Sequence, residues 1–166
     1  MRFDQPPPEP LASALGFLLS WSGRRMAHTF ATGLEPLGLK PPHFGVLSLI
    51  AAQPGRNQHE LGERAMIDPS SMVAIVDELE RLGLAERRLD PDDRRKRAVH
   101  LTRKGVRTLE RARAVAIDTA EEVLGPLNGK ERETLRVLLR KVAGLPPEAQ
   151  GAGESPGGRP QPVTNA

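Results

Sequence analysis

Four consecutive cations, Arg94, Arg95, Lys96 and Arg97, follow the turn-forming run Asp90-Pro91-Asp92-Asp93, and they are the side chains best suited to a chemical task. Guanidinium groups present a planar set of donors that matches phosphate oxygens. The segment 84–113 holds eleven Lys/Arg against five Asp/Glu, whereas the whole chain carries a formal charge of only +3. Such a local basic block is typical of a polyanion contact, although a solvated surface has the same composition.

Catalytic and metal-binding patterns are not found in the 166 residues. There is no P-loop, GxSxG, HExxH or dinucleotide fingerprint, no cysteine is present, and the four histidines are dispersed. We therefore predict no enzyme, no catalytic residues, no metal and no cofactor. A metal site or a triad assembled from distant residues remains compatible with the sequence.

The elements that must position the basic run are a helix and a hairpin. Asp68 is suited to the N-cap and Pro69 to the first helical position. Apolar residues then recur at Met72, Ile75, Val76, Leu79 and Leu82, the spacing of a half-buried helix that ends at Gly83. Residues 84–89 and 97–101 are predicted strands. The basic run therefore lies at the tip of a hairpin directly after this helix.

A helix followed by a basic hairpin is the layout of a winged helix-turn-helix. The chain resembles the MarR family of bacterial transcriptional regulators in the order DELERLGL (77–84), ER (86–87), DRR (93–95) and LTRKG (101–105). The resemblance covers roughly residues 11–145 and is sharpest over 67–105. It implies a mainly α fold with a small antiparallel β-wing, and a helical dimerisation region built from the N- and C-terminal helices. It also implies a repressor that binds double-stranded DNA at a pseudo-palindromic operator as a homodimer.

The predicted recognition helix has few long donors, because Ala74, Asp77 and Glu78 occupy its exposed face. Its first turns must then contact the bases, through Ser70, Ser71, Val73 and Ala74. Simple helix-start chemistry is the alternative role of the two serines. We expect DNA shape and the wing to carry much of the specificity.

Two further sets of residues are predicted to contact DNA. In the wing they are Arg87, Arg94, Arg95, Lys96 and Arg97. Asp93 is expected to pair with Arg95, and either Arg94 or Arg95 enters a narrow minor groove. Strand alternation puts Arg87 and Arg88 on opposite faces, so that one of them contacts DNA. Before the recognition helix, phosphate contacts are expected from Asn57, Gln58 and Arg64.

The remaining pattern predicts the domain organisation. Residues 1–10 form a flexible arm, 11–145 form the MarR-like domain, and 146–166 form a disordered tail rich in proline and glycine. The DNA-binding lobe spans about 42–101, with helices at 43–52 and 59–66. Dimerisation helices are expected at about 11–34 and 103–143, the latter divided into 103–124 and 130–143.

A small-molecule effector is a further expected partner, in a pocket near Trp21, Arg25, His28 and His43. The alternative roles are a packing anchor for Trp21 and a partly exposed first-turn residue for His43. There is no apolar run of 18 residues and no secretory-signal layout at the N-terminus. A bacterial cytoplasmic protein, nucleoid-associated when it is bound to DNA and without membrane contact, is therefore expected.

Two other functions remain compatible with the sequence. One is an architectural protein that binds DNA with little sequence preference, which the sparse recognition helix would suit. The other is a protein–protein module built on the winged scaffold, against which the arginine-rich wing argues. The ratio of specific to non-specific DNA affinity separates a regulator from an architectural protein.

Overall fold

The computed structural model describes residues 6–89 and 97–146. Its α-helices are α1 (Leu15–Leu34), α2 (Pro41–Ala52), α3 (Gln58–Ala65), α4 (Pro69–Arg81), α5 (Arg103–Leu124) and α6 (Gly129–Val142). Strands β1 (Ala85–Leu89) and β2 (Arg97–Leu101) form an antiparallel pair, and 3₁₀ turns occupy Leu11–Ser13 and Glu35–Leu37. The chain divides into two compact units, Met1–Gly125 and Pro126–Ala166, which are described separately below. The mainly helical fold with a small antiparallel wing confirms the predicted fold class.

The core of the first unit is built around α2. Val46, Leu47 and Ile50 of this helix are at most 1% exposed, as the nearly all-apolar sequence of the helix predicts. Leu61 of α3 and Met72, Val76 and Leu79 of α4 belong to the same buried cluster. The helix-turn-helix is thereby fixed to the rest of the unit through its apolar side, and its polar side faces solvent.

Helix α3 ends and α4 begins within three residues. Asn57 and Glu60 form a reciprocal capping box at the start of α3. The predicted bounds of α3, residues 59–66, are displaced by one residue, because Met66 takes a left-handed conformation with φ 52° and leaves the helix. Asp68 then caps α4 by accepting a hydrogen bond from the N–H of Ser71, as predicted.

Gly83 ends α4, also as predicted. Its φ is +70°, a conformation that costs glycine little, and the N–H of Leu84 donates to the carbonyl of Leu79. The chain then enters β1, whose register with β2 runs from Ala85 opposite Leu101 to Leu89 opposite Arg97. The predicted strand start at Leu84 is one residue early, because the backbone of Leu84 is used to close α4 and to accept from Thr102.

The start of α5 is held against the end of α4. The Thr102 hydroxyl accepts from the Gly105 N–H and donates to the carbonyl of Gly83. Helix α5 has the predicted bounds. At the other end of the unit α5 packs closely on α1, where a β-carbon on Gly33 would meet Val115 Cγ1 at 2.6 Å.

The first helix departs from its predicted start. Residues 11–13 form a 3₁₀ turn and α1 begins at Leu15, since Ala14 is extended, with ψ 114°. Helix α2 begins at Pro41, two residues before the predicted start, because the missing N–H of proline costs nothing in the first helical turn.

In the second unit, α6 begins at a capping box between Asn128 and Glu131. None of its residues is buried, and its exposed apolar side chains are Val137, Leu138, Leu139 and Val142. Of the helices within residues 6–89 and 97–146, none combines the length and the apolar character needed to cross a membrane.

Candidate nucleic-acid interface

Helix α4 divides cleanly into a buried side and an exposed side. Met72, Val76 and Leu79 are at most 1% exposed. The predicted base contacts Ser70, Ser71, Val73 and Ala74 are all exposed in the first two turns. The structure therefore brings these four residues together at the N-terminal end of one helix, where a major groove can accept them.

Asp68 organises the two serines. Its Oδ1 accepts the hydroxyl of Ser70 at 2.6 Å and the N–H of Ser71 at 2.9 Å. These hydrogen bonds, together with one from the Ser71 hydroxyl, hold the pKa of Asp68 well below its usual range. Both serines thus take part in helix-start chemistry. Their hydroxyl oxygens keep lone pairs that can accept a further hydrogen bond.

One flank of α4 is bound to the wing and to α3 through Arg87. The guanidinium contacts Asp77 at 2.7 Å and also pairs with Glu80, whose Oε1 accepts the Arg87 N–H at 2.7 Å. Gln58 Oε1 accepts from Arg87 Nη2 at 2.8 Å. The Arg87 side chain is only 17% exposed. This predicted wing contact is therefore already engaged with three residues on two helices of its own chain.

The other flank of α4 is bound to α2. Glu78 accepts from His43 Nε2 at 3.0 Å and from Lys40 Nζ at 3.3 Å, and these hydrogen bonds lower its pKa, the one from His43 most strongly. His43 is 2% exposed, so the alternative of a partly exposed first-turn residue is wrong. In the sequence, Glu78 stands out only as a position of the exposed helix face that lacks a long donor. No local spacing indicates its pairing with a residue 35 positions earlier.

The three predicted phosphate contacts have different surroundings. Arg64 is exposed on α3. Asn57 is half-buried and caps α3, and its backbone pairs with Ala98 of β2. Gln58 is half-buried against Arg87. Of the three, Arg64 presents its side chain most openly.

The wing tip lies outside the described residues. The predicted contacts Arg94, Arg95 and Lys96, and the expected pair of Asp93 with Arg95, belong to it. Arg97 is exposed and lies opposite Leu89, in the cross-strand pair of β1 and β2 that is nearest the tip. Arg88 points away from the Asp77–Glu80 flank, has a side chain that is 60% exposed, and pairs with Glu86. The expected division of Arg87 and Arg88 between the two strand faces is confirmed.

The four predicted effector contacts lie in three places. Arg25 and His28 line an open cavity of about 600 Å³ between α1 and α5, together with Asp118, Thr119 and Glu122 among others. Trp21 does not line it; its ring stacks on Phe17 at a centroid distance of 5.9 Å. His43 faces α4 instead. Within the described ranges, no group of three or more His, Asp or Glu side chains could hold a metal ion.

A helix-turn-helix with an exposed N-terminal face, followed by a two-stranded wing, defines a winged-helix DNA-binding protein. A family model described as MarR family matches residues 37–96. The transcriptional regulator HosA of Escherichia coli O111:H- is 35% identical over 115 residues, which are 69% of this chain and 85% of HosA. The chain belongs to the MarR family of transcriptional regulators.

Solved structures give the same result. The transcriptional repressor CouR bound to a 23-mer DNA duplex has a TM-score of 0.71 and 35% identity, covering 84% of this chain and 99% of that one. CouR from Rhodococcus jostii RHA1 bound to p-coumaroyl-CoA has a TM-score of 0.69 and 32% identity, covering 82% and 96%. The protein is accordingly a DNA-binding transcription regulator.

Proposed function

We propose that the chain is a repressor that binds a pseudo-palindromic operator as a homodimer and blocks transcription by occupying it. The observation that carries this proposal is the exposed N-terminal face of α4, set beside the base of a basic wing. The similar structure of the transcriptional repressor CouR, which was solved bound to a 23-mer DNA duplex, supports this mode of action. A DNA-binding regulator of this kind acts in the bacterial cytoplasm, at the nucleoid.

The base contacts are made by Ser70, Ser71, Val73 and Ala74. Because the Ser70 hydroxyl donates its proton to Asp68, its oxygen is left to accept from a base. Exocyclic amines of adenine and cytosine are the major-groove donors that suit it. Val73 is 36% exposed and can contact a thymine methyl group. Each such contact discriminates by less than the ~1–3 kcal/mol of a bidentate arginine–guanine pair.

Phosphate and minor-groove contacts supply the remaining affinity. The phosphates beside α3 are contacted by Arg64, Asn57 and Gln58. Those beside the wing are contacted by Arg97 and Lys96. Arg94 or Arg95 enters the minor groove, whose narrow A·T-rich form has enhanced negative potential. Arg87 acts mainly by fixing the wing to α4, since its guanidinium already contacts Asp77 and Glu80.

Dimerisation uses helices within 11–34 and 103–143, and the DNA-binding lobe spans about 42–101. Several large apolar residues of these helices are exposed in the single chain: Leu15, Leu18, Leu19, Ile117, Val137, Leu138, Leu139 and Val142. A two-fold dimer covers such surfaces and matches the symmetry of a palindromic site.

A small-molecule effector lowers DNA affinity by favouring a different spacing of the two recognition helices. The cavity between α1 and α5, with Arg25 and His28 in its wall, is one place for it. Trp21 and His43 do not line this cavity, since Trp21 stacks on Phe17 and His43 is buried against Glu78. The affinity for the effector must then differ between the DNA-bound and free conformations. A ligand that binds both conformations equally does not shift the equilibrium between them.

The test is binding of the purified protein to DNA from its own locus, across salt concentrations, with random duplex as competitor. We expect one short palindrome to be preferred at least about a thousandfold, and log affinity to fall linearly with log salt. Equal affinity for all duplexes would replace this proposal by the architectural one, which the short side chains on α4 favour. Absence of binding would contradict both.

A further inference from the structure

Both ring nitrogens of His43 are occupied by partners from within the chain. The ring is 2% exposed. Nδ1 lies 3.2 Å from the backbone nitrogen of Lys40, and Nε2 lies 3.0 Å from Glu78 Oε2. His43 belongs to α2 and Glu78 to the recognition helix α4. A single buried side chain therefore connects the start of α2 to the element that contacts the bases.

The donor from Lys40 decides the tautomer of His43. A backbone N–H can only donate, so Nδ1 must be the acceptor and cannot carry a proton. The proton of the neutral ring is then on Nε2, which donates it to the carboxylate of Glu78. The resulting chain of hydrogen bonds runs in one direction, from Lys40 N–H through the imidazole to Glu78.

Glu78 and Glu80 lie on the two flanks of α4. At 3.6 residues per turn they are about 160° apart around the helix axis, and Ser70, Val73 and Ala74 fall in the exposed arc between them. Glu80 is held by Arg87 of β1, and Glu78 by His43 and Lys40. A helix tied at both flanks of its exposed face cannot rotate about its axis without breaking one of these contacts.

We propose that His43 is a positioning residue for DNA recognition: its Nε2–H bond to Glu78 sets the rotation of α4, and so the direction in which Ser70, Val73 and Ala74 face the bases. This inference rests on the proposed base contacts of α4. Lys40 and Arg81 also approach Glu78, at 3.3 and 3.6 Å, but both side chains are about 70% exposed. The buried imidazole is the partner that orients the carboxylate.

The test compares His43→Leu, which removes both hydrogen bonds, with His43→Gln, whose amide can accept from Lys40 and donate to Glu78. Glu78→Ala removes the bond from the exposed side, where folding is less at risk. Glu35→Ala is the control, since Glu35 is also an acidic side chain that is exposed and it lies outside both the proposed dimerisation helices and the DNA-binding lobe. All variants are measured on the preferred palindrome and on random duplex, below their melting temperatures.

For His43→Leu and Glu78→Ala we expect the ratio of specific to random-duplex affinity to fall about tenfold, within the range for one lost base contact per site. His43→Gln and Glu35→Ala should stay within about threefold of the parent. Two-bond ¹H–¹⁵N spectra of the parent should show the Nε2–H tautomer at neutral pH.

Unchanged specificity in His43→Leu and Glu78→Ala, with a parent that discriminates its palindrome, would overturn the inference and leave the proposed function intact. A Nδ1–H tautomer would also overturn it, because Nε2 would then have no proton to donate to Glu78. A parent that does not discriminate between duplexes would instead contradict the proposed function on which the inference rests.

Discussion

Gly105, near the start of α5, lies directly against the backbone of Leu84: a β-carbon on this glycine would stand 1.9 Å from the Leu84 carbonyl oxygen. That oxygen accepts from the Thr102 N–H at 3.0 Å, so it cannot move away without loss of a hydrogen bond. The glycine of the LTRKG motif is therefore required where α5 passes the end of α4.

We expect Gly105→Ala to destabilise the protein by about 2–4 kcal/mol, because the clash is with backbone and not with a flexible side chain. Urea unfolding followed by circular dichroism measures it. Gly16→Ala is the control, since a β-carbon there meets nothing within 4 Å. Equal stability of the two variants would contradict the close approach.

Arg87→Ala should cost about 1–2 kcal/mol of stability, because it leaves Asp77, Glu80 and Gln58 without a shared donor. The neighbouring Arg88→Ala should cost less than about 0.5 kcal/mol, since its pair with Glu86 is solvent-exposed. Thermal unfolding of both variants gives the comparison. A larger loss for Arg88→Ala would show that the wing is held in another way.

Arg95→Ala at the wing tip should weaken operator binding and lower the slope of log affinity against log salt by about 0.9 for each phosphate charge lost. Arg94→Ala shows which of the two arginines enters the minor groove. The variant that lacks the inserted arginine should also lose the protein's preference for A·T-rich flanks. Fluorescence anisotropy at several salt concentrations measures both effects. An affinity that neither change alters would remove the wing from the interface.

Acid should weaken the start of α4. The folded-state pKa of Asp68 is depressed below its ordinary value of 3.8 by hydrogen bonds from Ser70 and Ser71. The stability that it contributes is thus present above about pH 4, and is lost as the pH falls through the folded pKa. Asp68→Asn keeps a cap but cannot titrate, so its free energy of unfolding should fall less between pH 5 and pH 3. Parallel losses in parent and variant would contradict this role.

Val142→Asp should shift the protein from dimer to monomer and reduce operator affinity together. Val142 is 74% exposed on α6 in the single chain, so the change leaves the fold of one protomer intact. Lys141→Ala is the neighbouring control. Light scattering after size exclusion, at several protein concentrations, measures the assembly. A dimer that survives the aspartate would move the interface away from α6.

Local patterns predicted the bounds of α4 and the hairpin well. Asp68, Pro69 and Gly83 act within one or two residues of the helix ends that they define, so their roles depend on backbone geometry alone. The apolar spacing of Met72, Val76 and Leu79 likewise follows from the helical period. Where such a signal is absent, as at Met66 with its positive φ, the predicted boundary was displaced by a residue.

The sequence by itself thus determined which residues lie on the exposed face of the recognition helix, and that a basic hairpin follows it. Only the tertiary structure decided what holds that face in place. His43 hydrogen-bonds to Glu78 on one flank, and on the other flank Arg87 contacts Asp77, Glu80 and Gln58. The partners His43 and Glu78 are 35 residues apart, and Arg87 and Gln58 are 29 apart. Their meeting depends on how whole helices pack, which neither periodicity nor capping within a short segment encodes.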